Sequence, residues 1–218
     1  MSYAVMRVQK FKGNLSGIGI HTDRCNGGET VAPSNAKADK IDHNLHWDKK
    51  GVAYSQQEWN KEVKGNGLNK RVNDHIKENY KLDRAIRKDA VKCLEYIFSS
   101  DNLKMEEIRK DDELLENWIK DNRQFLADIY GENNIIDMHL HLDETTPHLE
   151  VIVCPITSDG RLSAKEFING KNSLIQHQTE YAERMEKYGM KRGEKGSTAK
   201  HQHQKNYTKT QSYEHNRS

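Results

Sequence analysis

The chain has 218 residues, of which 34% are hydrophobic and 31% are charged, and its formal net charge is +2. This length supports one well-buried core, so we expect one domain over residues 1–195 and a polar, flexible tail over residues 196–218. No apolar run is long enough to cross a membrane, and the near-neutral total gives no sign of a uniformly basic surface.

The charges are unevenly distributed along the chain. Basic residues outnumber acidic ones between residues 183 and 209, whereas acidic residues outnumber basic ones between residues 101 and 121. One surface can therefore be positive while an acidic helix faces away from it. Charge runs are also common on ordinary solvated helices, so this pattern alone does not identify a partner.

The N-terminus and the cysteines both indicate the compartment. The first residues lack the apolar segment of a signal peptide. The three cysteines, Cys25, Cys93 and Cys154, are odd in number and far apart in the sequence. We therefore expect reduced thiols in a cytoplasmic protein without a membrane anchor.

Hydrophobic periodicity and turn residues predict the elements of the first half of the chain. In chain order these are a strand over residues 3–9, a flexible loop over residues 10–19 that leads to His21, an extended segment over residues 23–40, a short strand over residues 41–47, a helix over residues 54–81 that breaks near Gly65 and Gly67, and a strand over residues 90–99.

The second half follows the same two periodicities. Its predicted elements are an amphipathic helix over residues 106–130, strands over residues 138–143 and 148–153, a turn over residues 158–160, and an amphipathic helix that starts at residue 164 or 171 and ends at residue 188. This order favours an α+β fold, with a mostly antiparallel central sheet flanked by helices, which we expect on one face of the sheet.

The strongest motif is the pair of predicted strands in the second half. Polar and apolar residues alternate on both sides of a short turn that contains Pro147. Because successive side chains of a strand point to opposite faces, His139 and His141 share one face. For the same reason His148 and Glu150 share a face of the next strand.

If the two strands pair with these faces together, imidazoles and a carboxylate converge within reach of one divalent ion. Burying such polar groups requires a partner, and a metal ion is one. The alternative is the solvent-facing side of an ordinary hairpin, but several ligand-type groups on one face favour a metal. The absence of cysteine from the set suits Mn, Mg, Fe, Co, Ni or Zn in a catalytic role.

Four stretches of the chain together match the motifs of a known family. They are residues 2–24, which begin Ser-Tyr-Ala-Val-Met-Arg and end His-Thr-Asp-Arg; the surroundings of Asn44; residues 84–91, Arg-Ala-Ile-Arg-Lys-Asp-Ala-Val; and residues 141–148, His-Leu-Asp-Glu-Thr-Thr-Pro-His, followed by Gly-Arg-Leu-Ser at 160–163. The chain resembles the MobV-type (Pre/Mob) plasmid mobilisation relaxases of the HUH endonuclease class over about residues 1–200, and it looks like their relaxase domain.

The resemblance implies an HUH relaxase-like fold and a metal-dependent enzyme that nicks one strand of plasmid oriT DNA and can rejoin it. It implies His21 as the nucleophile, which forms a covalent 5′-phosphoramidate. It also implies that Glu144 orients or deprotonates His21 and that Arg24 contacts the scissile phosphate. A neutral imidazole is a credible nucleophile because, unlike a phenol, it is largely unprotonated near neutral pH.

The metal ligands that the resemblance implies are His141, His148 and Glu150, and we expect Mn or Mg as the cofactor. The family pattern has a histidine at the position of Glu150, so this chain departs from it there. A carboxylate can still bind a metal, and it lowers the charge of the site and favours a harder ion. His139 remains an alternative ligand.

The expected partner is oriT DNA, as a hairpin with a single-stranded flank. Basic residues of the matched stretches and their surroundings are the expected contacts to its phosphates. They are Arg84, Arg87 and Lys88, with Lys10, Lys12 and Lys165 behind them. A homodimer formed through a C-terminal region outside this chain is left open.

Two other functions compete with this interpretation. A rolling-circle replication initiator shares the metal fold but attacks with a tyrosine, and the sequence Tyr188-Gly-Met-Lys superficially fits its motif. A DNA-binding regulator could keep the fold and a structural metal without cleaving DNA.

Overall fold

The computed structural model describes residues 1–194, so the predicted tail over residues 196–218 lies outside the described residues. The strands of the described part are β1 (Ser2–Tyr3), β2 (Val5–Lys12), β3 (Cys25–Asn26), β4 (Glu29–Thr30), β5 (Leu45–Trp47), β6 (Ala53–Ser55), β7 (Val91–Ser99), β8 (Ile135–His141), β9 (His148–Val153) and β10 (Met190–Lys191). Its helices are α1 (Ser16–Asp23), α2 (Gln56–Glu62), α3 (Leu68–Asn79), α4 (Asn102–Arg109), α5 (Asp112–Tyr130), α6 (Ala164–Phe167) and α7 (Gly170–Met185). Short 3₁₀ segments cover Ala38–His43, Glu132–Asn134 and Glu186–Tyr188.

A six-stranded sheet forms the centre of the described residues. Its strand order is β2-β7-β9-β8-β5-β6, and every neighbouring pair of strands is antiparallel. The paired strands β8 and β9 lie in the middle of this order and are almost entirely buried. This architecture confirms the predicted α+β fold with a mostly antiparallel central sheet flanked by helices.

Helices cover both faces of the sheet. On one face, α5 and α7 pack on an apolar core that includes Tyr96, Phe98 and Val151. On the other face, α3 and the start of α1 pack on a second core that includes Cys93 and Ile152. The prediction of helices on a single face was wrong, because apolar periodicity shows which side of a helix is buried but not which face of a sheet it covers.

Helix α1 occupies part of the segment that was predicted to be a loop. The strand β2 continues to Lys12, and the helix then starts at Ser16 and carries His21 in its last turn. Gly17 and Gly19 lower the helix propensity of this stretch, and so they suggested a loop. Packing explains one of them, since a Cβ atom on Gly19 would lie 2.7 Å from the Cβ atom of Leu68.

Capping residues set several helix boundaries. The predicted helix over residues 106–130 is two helices, because the carboxylate of Asp111 accepts a hydrogen bond from the backbone of Leu114 and starts α5. Asp101 caps α4 in the same way. The helix predicted with breaks near Gly65 and Gly67 is confirmed as α2 and α3.

The predicted strands agree with β7 and β9, whereas β2 and β8 are shifted by two or three residues from the predicted ranges. The strand β7 confirms the prediction over residues 90–99, whereas only the last three residues of the predicted strand over residues 41–47 belong to β5. The short strands β1 and β10 pair in parallel, which places Ser2 opposite Met190.

Two further observations concern the cysteines and the apolar character of the helices. Cys25, Cys93 and Cys154 are buried and form no disulfide. Within residues 1–194, no helix combines the length and the apolar character that crossing a membrane requires.

Candidate metal and nucleophile site

The hairpin of β8 and β9 brings the predicted ligands together. In the observed register, His141 lies directly opposite His148, and His139 lies opposite Glu150. Met138, Leu140 and Val151 alternate with them and point into the apolar core on the other face. The period-two pattern therefore predicted correctly which side chains share the polar face.

Three side chains of this polar face surround one point. Nδ1 of His141 lies 3.4 Å from Nε2 of His148. The carboxylate of Glu150 closes the set, with Oε1 at 3.4 Å from Nε2 of His148 and Oε2 at 3.6 Å from Nδ1 of His141. Oε2 of Glu150 is buried and has no hydrogen-bond partner. A buried carboxylate that has one unpartnered oxygen and faces two imidazole nitrogens fits a divalent cation.

Hydrogen bonds behind the two imidazoles determine which nitrogens face the centre. Nε2 of His141 lies 2.9 Å from the carbonyl oxygen of Thr22, and Nδ1 of His148 lies 3.0 Å from that of Thr146. A carbonyl only accepts, so these two nitrogens carry hydrogens. When both rings are neutral, the facing nitrogens present lone pairs, as metal ligands must.

The pKa values of the three side chains show that the site favours a positive charge. Burial alone lowers the pKa of His148, but the hydrogen bond to Glu150 and the charges of Glu150 and Glu144 raise this pKa to about 9. Burial lowers the pKa of His141 to about 4. Burial would raise the pKa of Glu150, but the neighbouring histidines hold it well below its usual value. At neutral pH His148 is therefore protonated, and a bound cation would replace this proton.

His139 does not join this set, although the sequence left it open as a ligand. Its Nδ1 lies 2.8 Å from Nδ1 of His46, and its Nε2 lies 3.0 Å from Oδ1 of Asp137. Both ring nitrogens are thus already engaged. Glu144 lies closer to the site, since ligand atoms of His141, Glu144 and His148 all lie within 4.8 Å of one another.

His21, from the N-terminal part of the chain, lies beside this ligand set. It lies in the last turn of α1, and its Nε2 is 3.6 Å from Oε1 of Glu150. Its ring lies edge-on to that of His141, with 6.3 Å between the ring centroids. The side chain is 38% exposed, so it borders both the buried ligand set and the solvent. The carboxylate recorded beside His21 is Glu150, not Glu144.

Arg24 lies behind the site with no exposed surface. Its Nε is 2.9 Å from Oδ2 of Asp143, and Nη2 is 2.7 Å from Oε1 of Glu144. Its Nη1 donates to the backbone carbonyl of His21 at 2.6 Å. Arg24 is also the one non-glycine residue with a positive φ, 49°, among residues 1–194. This geometry favours a role in positioning His21 and Glu144 over the predicted contact with a phosphate.

A second polar network, which sequence reasoning missed, anchors the end of α1. Nη2 of Arg71 lies 2.8 Å from Oδ1 of Asp23 and 2.7 Å from Oδ2 of Asp137. The indole of Trp59 donates to the same oxygen of Asp23 at 3.0 Å. Asp23, Asp137 and His139 also have metal-ligand spacing, but the guanidinium of Arg71 already pairs with both carboxylates. Asp137 lies one residue before the predicted strand over residues 138–143, and no pattern pointed to Arg71.

The predicted DNA contacts lie at the other end of the sheet. Arg84, Arg87 and Lys88 are exposed in the loop before β7, and Arg87 pairs with Asp89. Lys12 of β2 lies opposite Val91, at the start of β7. Lys10 is nearby on β2, and Lys165 is exposed on α6.

The strand register gives the distance between the basic loop before β7 and the candidate metal site. Glu150 pairs with Ile97, whereas Lys12 pairs with Val91 of the same strand. Six residues of extended strand correspond to about 20 Å. A ligand that contacts both the basic loop and His21 must therefore extend along the sheet.

Tyr188, the nucleophile of the rolling-circle alternative, lies on the opposite face of the sheet from His21. It belongs to the apolar core under α5 and α7 and is 6% exposed. Its hydroxyl donates a hydrogen bond to Asp121, and burial raises its pKa. This placement does not support attack by Tyr188 on a phosphate at the histidine site.

Comparisons with known proteins match this chain to plasmid recombination enzymes. A family model described as plasmid recombination enzyme matches residues 1–209. The plasmid recombination enzyme type 3 of Staphylococcus aureus is 32% identical over 98% of this chain and 49% of its own length. A plasmid recombination enzyme of Streptococcus agalactiae is 33% identical over 92% of this chain and 38% of its own length. The chain thus spans about half the length of these relatives or less.

Solved structures extend the similarity to the fold. The MobM relaxase domain (MOBV), in a Mn-bound crystal structure with oriT DNA of plasmid pMV158, has a TM-score of 0.78 and 30% identity. That match covers 95% of this chain and 98% of the other. A further Mn-bound structure of the same domain with oriT DNA, at pH 4.6, has a TM-score of 0.77 and 30% identity.

Proposed function

The chain belongs to the plasmid recombination enzyme family, and we propose that it is the relaxase part of such a protein, which nicks one strand of plasmid oriT DNA. The observation that best supports this function is the placement of His21. A partly exposed imidazole lies 3.6 Å from a carboxylate that itself faces two buried imidazole nitrogens. A nucleophile beside a cation-type site is the arrangement that phosphodiester cleavage requires.

We propose that His141, His148 and Glu150 hold a divalent ion, Mn or Mg. Such an ion offsets the charge of a bound phosphodiester and stabilises the charge that develops on its oxygens. The MobM relaxase domain was solved with Mn bound, which supports this assignment. The carbonyl groups of Thr22 and Thr146 hold the two imidazoles in the required orientation.

His21 is proposed to attack the phosphorus atom through one ring nitrogen. The new P–N bond replaces the bond from phosphorus to the 3′ oxygen, and the imidazole gives up the proton on its other nitrogen. The departing oxygen takes up a proton and becomes a free 3′-hydroxyl group. The DNA 5′ end stays on the protein as a phosphoramidate, and the reverse reaction rejoins the strand.

Glu144 and Arg24 are proposed to position the nucleophile. Arg24 connects the carboxylate of Glu144 to the backbone carbonyl of His21, at 2.7 Å and 2.6 Å respectively. Glu144 therefore orients His21 through Arg24. Because the guanidinium is buried and already paired, direct contact with DNA is assigned instead to the exposed basic residues.

The proposed partner is oriT DNA with a folded hairpin and a single-stranded flank. The flank passes His21, and the hairpin extends along the sheet towards Arg84, Arg87 and Lys88. Lys10 and Lys12 on β2 and Lys165 on α6 are exposed, and we propose them as further phosphate contacts. These residues contact phosphates, so they contribute affinity rather than sequence specificity.

The test is mass spectrometry of the covalent adduct formed on an oriT oligonucleotide in the presence of Mn²⁺. We expect the unchanged protein and Tyr188→Phe to form an adduct on His21, because Tyr188 lies on the other face of the sheet. We expect no adduct with His21→Phe. An adduct that persists in His21→Phe and disappears in Tyr188→Phe would support the replication-initiator alternative. Tight DNA binding without nicking of supercoiled plasmid would support the regulator.

A further inference from the structure

Glu150 is the point at which this chain departs from the histidine pattern, and its carboxylate is built into the site. The residue is 2% exposed. Its two oxygens lie 3.4 Å and 3.6 Å from the facing nitrogens of His148 and His141. One of them, Oε2, has no hydrogen-bond partner. Glu150 therefore occupies the position of a ligand rather than that of a distant neighbour.

Asp143 and Glu144, the neighbouring acidic groups, already share one cation. Arg24 pairs with both Asp143 and Glu144. Glu150 is the acidic group beside the two imidazoles that has a buried oxygen without a hydrogen-bond partner.

We infer that Glu150 makes this a hard-cation site, which favours Mn²⁺ and Mg²⁺ over Ni²⁺ more strongly than three imidazoles would. The inference rests on the proposed metal site. Carboxylate oxygens suit Mg²⁺ and Mn²⁺, whereas imidazole nitrogens suit Zn²⁺, Cu²⁺ and Ni²⁺. Replacing one neutral nitrogen ligand by a charged oxygen ligand shifts the preference towards the harder ions.

The same side chain also borders the nucleophile. Oε1 of Glu150 lies 3.6 Å from Nε2 of His21. In a set of three imidazoles, a neutral ring would lie beside His21 instead of a carboxylate. The residue that determines the metal preference is thus also the one beside the attacking imidazole.

The experiment measures metal binding to the 218-residue chain by isothermal titration calorimetry, without DNA. The Kd values for Mn²⁺ and Ni²⁺ are obtained on one preparation of each variant, so that an unfolded fraction cancels from their ratio. In Glu150→His, we expect the ratio of the Mn²⁺ Kd to the Ni²⁺ Kd to increase by about tenfold or more. An unchanged ratio would overturn the inference.

Two further variants identify the carboxylate that is responsible. Glu150→Gln keeps the size of the side chain, and we expect it to weaken Mn²⁺ binding by about tenfold or more. Glu144→Gln removes the neighbouring carboxylate, which already pairs with Arg24, and we expect its Mn²⁺ Kd to stay within about threefold of the unchanged value. Loss of Mn²⁺ binding in Glu144→Gln but not in Glu150→Gln would assign the role to Glu144 and contradict the inference.

Nicking of oriT DNA is assayed separately on the same variants. A protein with the expected metal preference that forms no DNA adduct would refute the proposed function and leave this inference standing. A protein that forms the His21 adduct but shows no change of metal preference in Glu150→His would refute this inference and leave the proposed function standing.

Discussion

His141 and His148 each use one ring nitrogen to contact a backbone carbonyl, which leaves the other nitrogen facing Glu150. In the protein without metal, a proton on His148 satisfies this arrangement, since the carboxylates raise the pKa of His148 to about 9. A metal ion has to displace that proton. Binding of the ion is therefore linked to pH at this single residue.

The linkage predicts the direction of the pH dependence. Below about pH 9 His148 is protonated and competes with the metal, whereas His141, with a pKa of about 4, is already neutral. The affinity for Mg²⁺ should rise about tenfold per pH unit from pH 6.5 to 8.5, because one proton is lost for each ion bound.

Calorimetry in two buffers with different ionisation enthalpies measures this proton directly. At pH 7 we expect close to one proton released per Mg²⁺ ion. A Kd that does not change with pH, with no proton release, would show that His148 is not a ligand.

At this scale, the sequence predicted what depends on local geometry. Alternation along a strand is local, so the pattern placed His141, His148 and Glu150 on one face. The partners of Arg24 lie 119 and 120 residues away, and no local pattern reports such a contact. That is why Arg24 was predicted to contact a phosphate although its guanidinium is fully paired.

At the scale of elements, helix α1 determines where His21, the proposed nucleophile, lies. It packs closely on α3, where a Cβ atom at Gly19 would lie 2.7 Å from that of Leu68. His21 follows two residues later in the same helix. The position of the imidazole therefore depends on a helix–helix contact that only glycine permits.

Two glycines of α1 provide a matched test of this contact. Gly19→Ala should destabilise the protein by about 1–3 kcal/mol, since the added methyl group overpacks the contact with Leu68. It should also lower nicking by moving His21. Gly17→Ala has no atom within 4 Å of the added Cβ, so we expect unchanged or slightly higher stability, by up to about 1 kcal/mol.

Urea unfolding of both variants, with rates of adduct formation, provides the measurement. Equal stability and equal rates for the two variants would mean that α1 tolerates displacement from α3. The comparison isolates packing, because the two substitutions make the same chemical change in one helix.

The errors in the predicted elements share a physical cause. Low helix propensity in residues 10–19 suggested a loop, but packing of α1 on α3 outweighs propensity. The break between α4 and α5 depends on one cap, at Asp111. The strand β7, which is rich in β-formers, carries enough local signal to be predicted within one residue.

At the scale of the whole molecule, the resemblance to MobV-type relaxases is confirmed by the family match and by the MobM fold. The strand order and the presence of helices on both faces follow from long-range pairing, which periodicity does not encode. The exposed basic loop that contains Arg84, Arg87 and Lys88 lies about 20 Å along the sheet from the row of Glu150. A long DNA substrate can reach both places at once.

This separation predicts that DNA length decides the effect of the basic loop. The triple variant Arg84→Gln, Arg87→Gln and Lys88→Gln should bind an oriT hairpin with its flank more weakly. The slope of log affinity against log salt concentration should fall by up to about 0.9 for each lost duplex phosphate contact. Binding of a short single strand around the nick should stay unchanged, because it does not reach the loop.

Fluorescence anisotropy over a range of salt concentrations measures both slopes. A control variant with Arg109, Lys110 and Lys120 changed to Gln removes equal charge from α4, α5 and the residue between them. An identical fall in slope for the two triple variants would indicate a general charge effect and argue against the proposed DNA path.

The parallel pairing of β1 with β10 has a practical consequence for protein engineering. Ser2 lies opposite Met190, so a short linker can join these two ends without crossing the molecule. A circular permutant can then open at the exposed Lys50, in the turn between β5 and β6. In such a permutant a fluorescent label or a fused module leaves the fold at that turn, away from the helix that carries His21.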